Sequence, residues 1–436
     1  MTPPDFPSMK LRLALFAYGL LWWVMMPVIL LYLHKRGRKD PLYAQHIGER
    51  FGRYAKGVEN PVWVHAVSLG EMRSATPLIR ALLANGETVL TTHFTPAGRR
   101  EAAREFATEI SNGQVHTVWV PFEYGFAYRR FLHQFRPKYG LVMEIEIWPR
   151  MITACRKHGT PLFMCNAQYP QKSYAKDTSG LGLRAGLLAG FAGGFVKSDG
   201  QRKRFASTCM PNLHVTGELR FDQPIPQGHL DAASAVRGAL TKERPTFTLT
   251  SVVDGEDAVY IRMIKATSGA FFVYVPRAPE RFDEVAAMLD EAGLRYARRS
   301  DILDAQLGLV GSAPDIDVLL GDSMGEMYFY LALSDQALEG GGFVKKGAHN
   351  VIEPLALKKP VIVGPHIWTI EYPATEAIAA GVCTHVQTEA ELIAVVKDPP
   401  KVAARQIDDF YNDHAGAVDR TLAAIPQALA VVAGSK

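Results

Sequence analysis

Cysteine is scarce in this chain and scattered where it occurs. Cys155, Cys165, Cys209 and Cys383 form no C-x-x-C pair and no His/Cys cluster, which argues against a thiolate metal site and a disulfide framework. They read as reduced, cytosolic and mostly structural. Charge of one sign is missing too: the net +4 is small and much of it lies near the N-terminus, so no domain face carries the footprint of a nucleic-acid protein. No G-x-G-x-x-G follows the first strand of either half and no Walker loop is present, which disfavours dinucleotide and P-loop chemistry. There is no short repeat or low-complexity segment. What the chain does have is apolar substance, 48% of 436 residues, enough for two ordinary cores.

The longest uncharged stretch is Leu13 to Leu33, about long enough to cross a hydrocarbon core of ~30 Å as a helix. Tyr18, Trp22, Trp23 and Tyr32 give it interfacial aromatics, and Lys35, Arg36, Arg38 and Lys39 follow at once. Such a basic cluster stays cytoplasmic, which places the rest of the chain inside the cell on a single N-terminal anchor. The stretch is too long, and lacks the small-residue site, for a cleaved signal peptide. Pro27 and Gly19 interrupt it, and Lys10 and Arg12 flank its other end, so a helix lying in the membrane surface is the alternative to a span.

Past residue 60 the pattern alternates strands and helices, the signature of doubly wound parallel sheets. Strands are expected near Trp63 to Ala66, Thr88 to Thr92, Val118 to Val120, Tyr139 to Met143, Leu162 to Asn166 and Gly194 to Lys197. A second series is expected near Phe247 to Thr250, Phe271 to Val275, Val318 to Leu320, Gln336 to Glu339, Val361 to Val363 and Cys383 to Val386. Phe221 to Gly228, with Pro224, Pro226 and Gly228, is the linker candidate. The division that results is an anchor with its basic flank over 1–40, a first Rossmann-like domain over 41–222 and a second over 223–436, facing one another across a cleft.

Where the first strand turns into a helix, His65-Ala-Val-Ser-Leu-Gly-Glu71 places a carboxylate in the first helical turn, where a parallel-sheet enzyme keeps its chemistry. The spacing Ser68-x-x-Glu71 is equally a capping box. A chemical role and a cap both stand at this point. The second half holds three more polar turns after strands. Arg277 follows the run ending Val275-Pro276, and a guanidinium fork there suits a phosphate. Ser323 to Glu326 and Asn350 to Glu353, the latter after Gly340-Gly-Gly342, repeat the capping spacing. Glycine-rich turns feeding helices also present N–H groups to a nucleotide phosphate. Asp315 and Asp317 sit at the start of a strand, where a satisfied turn is expected and a metal pair is not.

The chain resembles the membrane-anchored Kdo transferases of lipid A biosynthesis, which move deoxy-manno-octulosonic acid from its CMP ester to a lipid acceptor. Arg36-Gly-Arg38-Lys39, Gly48-Glu-Arg-Phe-Gly52, His65 to Glu71, Met143-Glu-Ile-Glu-Ile-Trp-Pro149, Val275 to Phe282, Gly321-Asp-Ser-Met-Gly-Glu326, His349-Asn-Val-Ile-Glu-Pro354 and Gly364-Pro-His366 carry the likeness across almost the whole length. The resemblance implies a metal-independent GT-B fold without a cofactor, with acceptor and base in the first domain and CMP-Kdo in the second. It implies Glu71 as general base and Glu144 as a second essential carboxylate, with Arg220 where the family usually has a catalytic lysine. It also implies that Pro276, Arg277, Met324, Gly325, Glu326, Asn350, Val351, Ile352 and Glu353 hold the CMP moiety. Inner-membrane location and a lipid A precursor as acceptor follow from the same likeness.

Several positions depart from the pattern. Besides Arg220, Arg150 replaces an asparagine, Gln168 an arginine, Val253 a histidine, and Ala348 and Val351 a glycine and a proline. Two other readings therefore stay open: a GT-B transferase of another acidic sugar or to another acceptor, and a catalytically silent membrane protein that binds nucleotide sugar or lipid.

Overall fold

The computed structural model describes residues 6–55 and 57–434, and the chain forms two compact units. The first sheet comprises β1 (Val62–His65), β2 (Val89–His93), β3 (Val115–Trp119), β4 (Tyr139–Met143), β5 (Leu162–Ala167), β6 (Gly193–Val196) and β7 (Leu213–Val215). Its order is β3-β2-β1-β4-β5-β6-β7, parallel throughout. Central strands β1, β4 and β5 are buried along their length, because helices cover both faces of a parallel sheet and select continuous apolar runs. Edge strand β7 escapes the sequence reading: Leu213–Val215 is half-exposed to exposed and carries no apolar run.

The second sheet holds β8 (Thr246–Val252), β9 (Phe271–Pro276), β10 (Tyr296–Arg298), β11 (Val318–Leu320), β12 (Gln336–Glu339), β13 (Val361–Val363) and β14 (Cys383–His385). The order is β10-β11-β9-β8-β12-β13-β14, again parallel. Only β10, another three-residue edge strand, was not expected. In each sheet the connection reverses direction once beside the first strand, at β1/β4 and at β8/β12. Ligands of such sheets bind beyond the carboxyl ends of the strands at that reversal.

The division expected from the sequence is corrected at both ends of the chain. The first unit runs to Gln223 and takes back the chain from Ala415 onward, leaving Pro224 to His414 as the second. Ala417, Val418, Ala424, Ile425 and Ala428, on the helix Ala417–Gly434, are buried in the first unit's core with Val62, Leu78 and Leu141. Asp222 fastens that helix by accepting from the Gly416 and Val418 amides, both at 2.6 Å.

The N-terminal segment, read as a separate anchor over 1–40, is a helix Met9–Gly37 that packs on the first unit. Leu11 and Leu15 join the cluster of Trp63 and Tyr128, while Met26 and Leu33, with Trp22 and Ile29, join Phe122 and Tyr124. These positions recur at intervals of three, four or seven residues, a single stripe along the helix. The Arg150 guanidinium donates to the Leu15 carbonyl at 2.6 Å and the Tyr124 hydroxyl to the Trp22 carbonyl at 2.9 Å. The opposite face, with Leu13, Phe16, Leu20, Leu21, Val24, Val28 and Leu31, is exposed.

Candidate active site

Glu71 lies at the reversal of the first sheet. After β1 the chain turns at Ser68 and enters the helix Leu69–Ala84, and the capping box is formed in full. The Ser68 hydroxyl accepts from the Glu71 amide at 3.4 Å. Glu71 Oε2 accepts from the amides of Val67 at 2.5 Å and Ser68 at 3.3 Å. Both bonds land on Oε2, and among the described residues none lands on Oε1. The cap therefore occupies one carboxylate oxygen and leaves the other to exchange a proton. Burial, with Glu146 and then Glu144 as neighbouring negative charges, raises the Glu71 carboxyl to about 8, against the two amide bonds that lower it. A carboxyl so placed is a far stronger base, once ionised, than a solvated one.

Glu144 and Glu146 follow β4, next to β1 in the sheet. Glu144 has φ +56°, the left-handed region that non-glycine residues rarely adopt. Its carboxylate receives the Lys197 ammonium at 2.8 and 3.0 Å and the Asn166 side-chain amide at 2.8 Å. Glu146 accepts from the Trp148 indole at 2.7 Å, and burial raises its carboxyl above the ordinary range. Arg220 forks onto Glu218, Nε at 3.2 Å and Nη2 at 3.0 Å. Glu218 is fully buried and also receives Asn166 at 2.8 Å and Lys197 at 2.7 Å, and Arg220 and Lys197 hold its carboxyl well below the ordinary range, against burial.

In the second unit, Pro276 ends β9, and Arg277 follows with its guanidinium against the His349 imidazole. Burial, the Arg277 charge and Lys346 press His349 down to about 4, so the arginine carries the positive charge of this pair near neutral pH. Glu339, at the end of β12, is buried and accepts from the Thr250 hydroxyl and the Asn350 amide. Glu256, also buried, receives the amides of Gly341 at 2.6 Å and Phe343 at 2.8 Å, fixing the glycine turn. A Cβ on Gly340 would stand 2.6 Å from the Ser251 carbonyl oxygen, so the turn admits no side chain there.

Arg277 and Asn350 meet at Glu339, the Asn350 amide donating to it and the Arg277 guanidinium within reach of its charge. Val351 is buried, and Pro276 ends β9, with β8 between that strand and β12. The two helical turns expected to be capping boxes are built differently. Asn350 accepts from the Ile352 amide at 2.9 Å, a two-residue Asx turn, and the helix Ile352–Ala356, which carries Glu353, has only five residues. Glu326 precedes the helix Met327–Leu333; its carboxylate takes Arg299 at 2.8 Å together with the hydroxyls of Ser323 and Tyr330. Met324 is exposed, and Gly325 beside it turns with φ +86°. Asp315 and Asp317 pair with Lys242, Arg244 and Arg295, a surface ion-pair cluster. Sequence reasoning missed Lys197 and Glu218. Lys197 closes an otherwise apolar strand sequence, Gly-Gly-Phe-Val-Lys, and a lone cation at a strand's carboxyl end was the signal available.

Residues 45–223 match the family model described as 3-deoxy-D-manno-octulosonic-acid transferase (kdotransferase). The chain is 39% identical over 421 residues to the 3-deoxy-D-manno-octulosonic acid transferase of Bordetella pertussis, covering 92% of this chain and 96% of that one. To the protein of the same name from Haemophilus influenzae it is 30% identical over 374 residues, 82% of this chain and 83% of that one. Among solved structures it is similar to a glycosyltransferase from Rickettsia africae, with a TM-score of 0.56 over 85% of this chain and 99% of that one. At 11% identity that likeness speaks for the fold alone, and the fold is of the GT-B type.

Proposed function

From the premise that this chain belongs to the 3-deoxy-D-manno-octulosonic acid (Kdo) transferase family, and is a glycosyltransferase of lipopolysaccharide synthesis, we propose that it moves Kdo from CMP-Kdo to a lipid A precursor with Glu71 as the general base. The observation that carries this assignment is the division of labour within one carboxylate. Oε2 is held by two backbone amides, and Oε1 carries no bond among the described residues.

In the proposed step, Glu71 takes the proton of the acceptor hydroxyl as its oxygen attacks the anomeric carbon of Kdo. The bond from that carbon to the phosphate oxygen breaks, and CMP departs with the bonding electrons. One displacement inverts the anomeric centre. Glu144 supports the positive charge that develops on the sugar. Pro276, Arg277 and the segment Asn350 to Glu353 bind CMP, with Met324 to Glu326 beside them, and Arg277 supplies positive charge to the departing phosphate. With the guanidinium in that role the reaction needs no metal, and transfer is expected to survive EDTA.

The helix Met9–Gly37 holds the protein to the cytoplasmic membrane, where the lipid acceptor resides. Its docked stripe extends from Leu11 to Leu33, so a span along the bilayer normal would carry the polar groups of Arg150, Glu123 and Tyr124 into hydrocarbon. A helix lying in the membrane surface with its exposed face in the lipid avoids that cost.

The deciding measurement is transfer from CMP-Kdo to a lipid A precursor by the purified full chain in detergent. Preference for another nucleotide sugar would overturn the donor, and CMP-Kdo binding without turnover would make the protein a binding protein.

A further inference from the structure

The four side chains Glu144, Lys197, Glu218 and Arg220 come from the carboxyl ends of β4 and β6 and from the turn after β7. They bear two negative and two positive charges. Lys197 is 2% exposed. Its ammonium has three protons to donate and three partners to receive them: Glu144, Glu218 at 2.7 Å and Gln168 Oε1 at 3.4 Å. Among the described residues it is the cation on Glu144. Arg220 forks onto Glu218 and so completes the far side of the cluster. Two of the positions that depart from the family pattern thus belong to this cluster: Gln168 accepts from the buried ammonium, and Arg220 shares Glu218 with it.

We infer that Lys197 is a positioning residue for the transfer reaction, its compact ammonium fixing the Glu144 carboxylate in the orientation that faces the reacting sugar. Glu144 needs such a tether. Its backbone is in the left-handed region, its carboxylate is partly exposed, and Asn166 is its one other side-chain hydrogen-bond donor among the described residues. A guanidinium at 197 could not stand in, because a planar fork does not fit among two carboxylates and an amide oxygen converging on one point.

The inference rests on the proposed role of Glu144, and the experiment separates the two. Glu144→Gln is the reference. Lys197→Met alone leaves two carboxylates facing one cation and is expected to lower the melting temperature, so the working variant is the charge-balanced pair Lys197→Met with Glu218→Gln. We expect that pair to melt close to the wild-type temperature. Its kcat should fall by about 100-fold, the scale for a functional group displaced by ~1 Å, while acceptor KM and CMP affinity by calorimetry stay near wild type. If Glu144→Gln transfers normally, the role of Glu144 itself falls. If Glu144→Gln is inactive while the charge-balanced pair keeps its kcat, Lys197 serves the fold alone and the inference is overturned. A fall confined to KM would overturn it as well.

Discussion

Glutamine at position 71 separates two roles that alanine would confuse. It still accepts from the Val67 and Ser68 amides through its carbonyl oxygen, so the cap survives, but it takes no proton. Transfer by Glu71→Gln should fall by at least ~100-fold, the lower end for loss of a general base. Stability should move with pH in a definite direction. The Glu71 carboxyl is raised from 4.5 to about 8, so the folded chain binds this proton more tightly than the unfolded one. Its contribution is fully present below 4.5 and is lost as pH rises towards 8. Glutamine removes that loss, so the melting temperature of Glu71→Gln relative to wild type should be higher at about pH 8.5 than at about pH 5. A constant difference across that window, read by calorimetry, would place the proton elsewhere. Arg277→Ala should weaken CMP binding by about 1.5 to 3 kcal/mol, the range for a hydrogen bond to a charged group, with Arg277→Lys recovering part. Glu71 was legible in advance because strand, turn and cap lie within ten residues. Lys197 was not, because its partners are 21 to 53 positions away in sequence and meet only when β4, β5, β6 and β7 line up.

The N-terminal helix is the element on which sequence and structure differ most. Composition marks it as membrane-seeking, and the uncharged run says nothing of the stripe that docks. Removing Met9 to Gly37 strips Phe122 and Tyr124 of their ring contacts with Trp22 and Trp23 and takes Leu11 and Leu15 out of the cluster they share with Trp63 and Tyr128. Each of Leu11, Leu15, Met26 and Leu33 also forfeits about 1.5 to 3 kcal/mol of burial, as an upper estimate. The truncated chain should therefore melt well below the full one in the same detergent, and an unchanged melting temperature would show the helix to be a free anchor. Gly19 gives a milder probe. A Cβ there would stand 2.3 Å from Arg150 Nη2, so Gly19→Leu should release the guanidinium from Leu15 and lower stability without changing hydropathy for the worse. Membrane fractions should hold the full chain against high salt.

At the scale of the whole chain, the return of Ala417–Gly434 to the first unit means that the two units do not end where the sequence would divide them. Ending the chain at His414 should destabilise the first unit while the second still binds CMP with its usual affinity. Calorimetry on the truncated protein would show a lost or lowered transition beside normal CMP binding, and loss of CMP binding would contradict the division. The residue order alone determined the alternation of strands and helices, the two sheets, the linker near Gln223 and the position of Glu71. These depend on periodicity, turn chemistry and capping, all interactions between residues close in sequence. Tertiary structure decided the rest: which face of the first helix is covered, where the last helix packs, and that Lys197, Glu144, Glu218 and Arg220 neutralise one another. Those outcomes come from burial and Coulomb interaction, which act through space and leave no period in the chain.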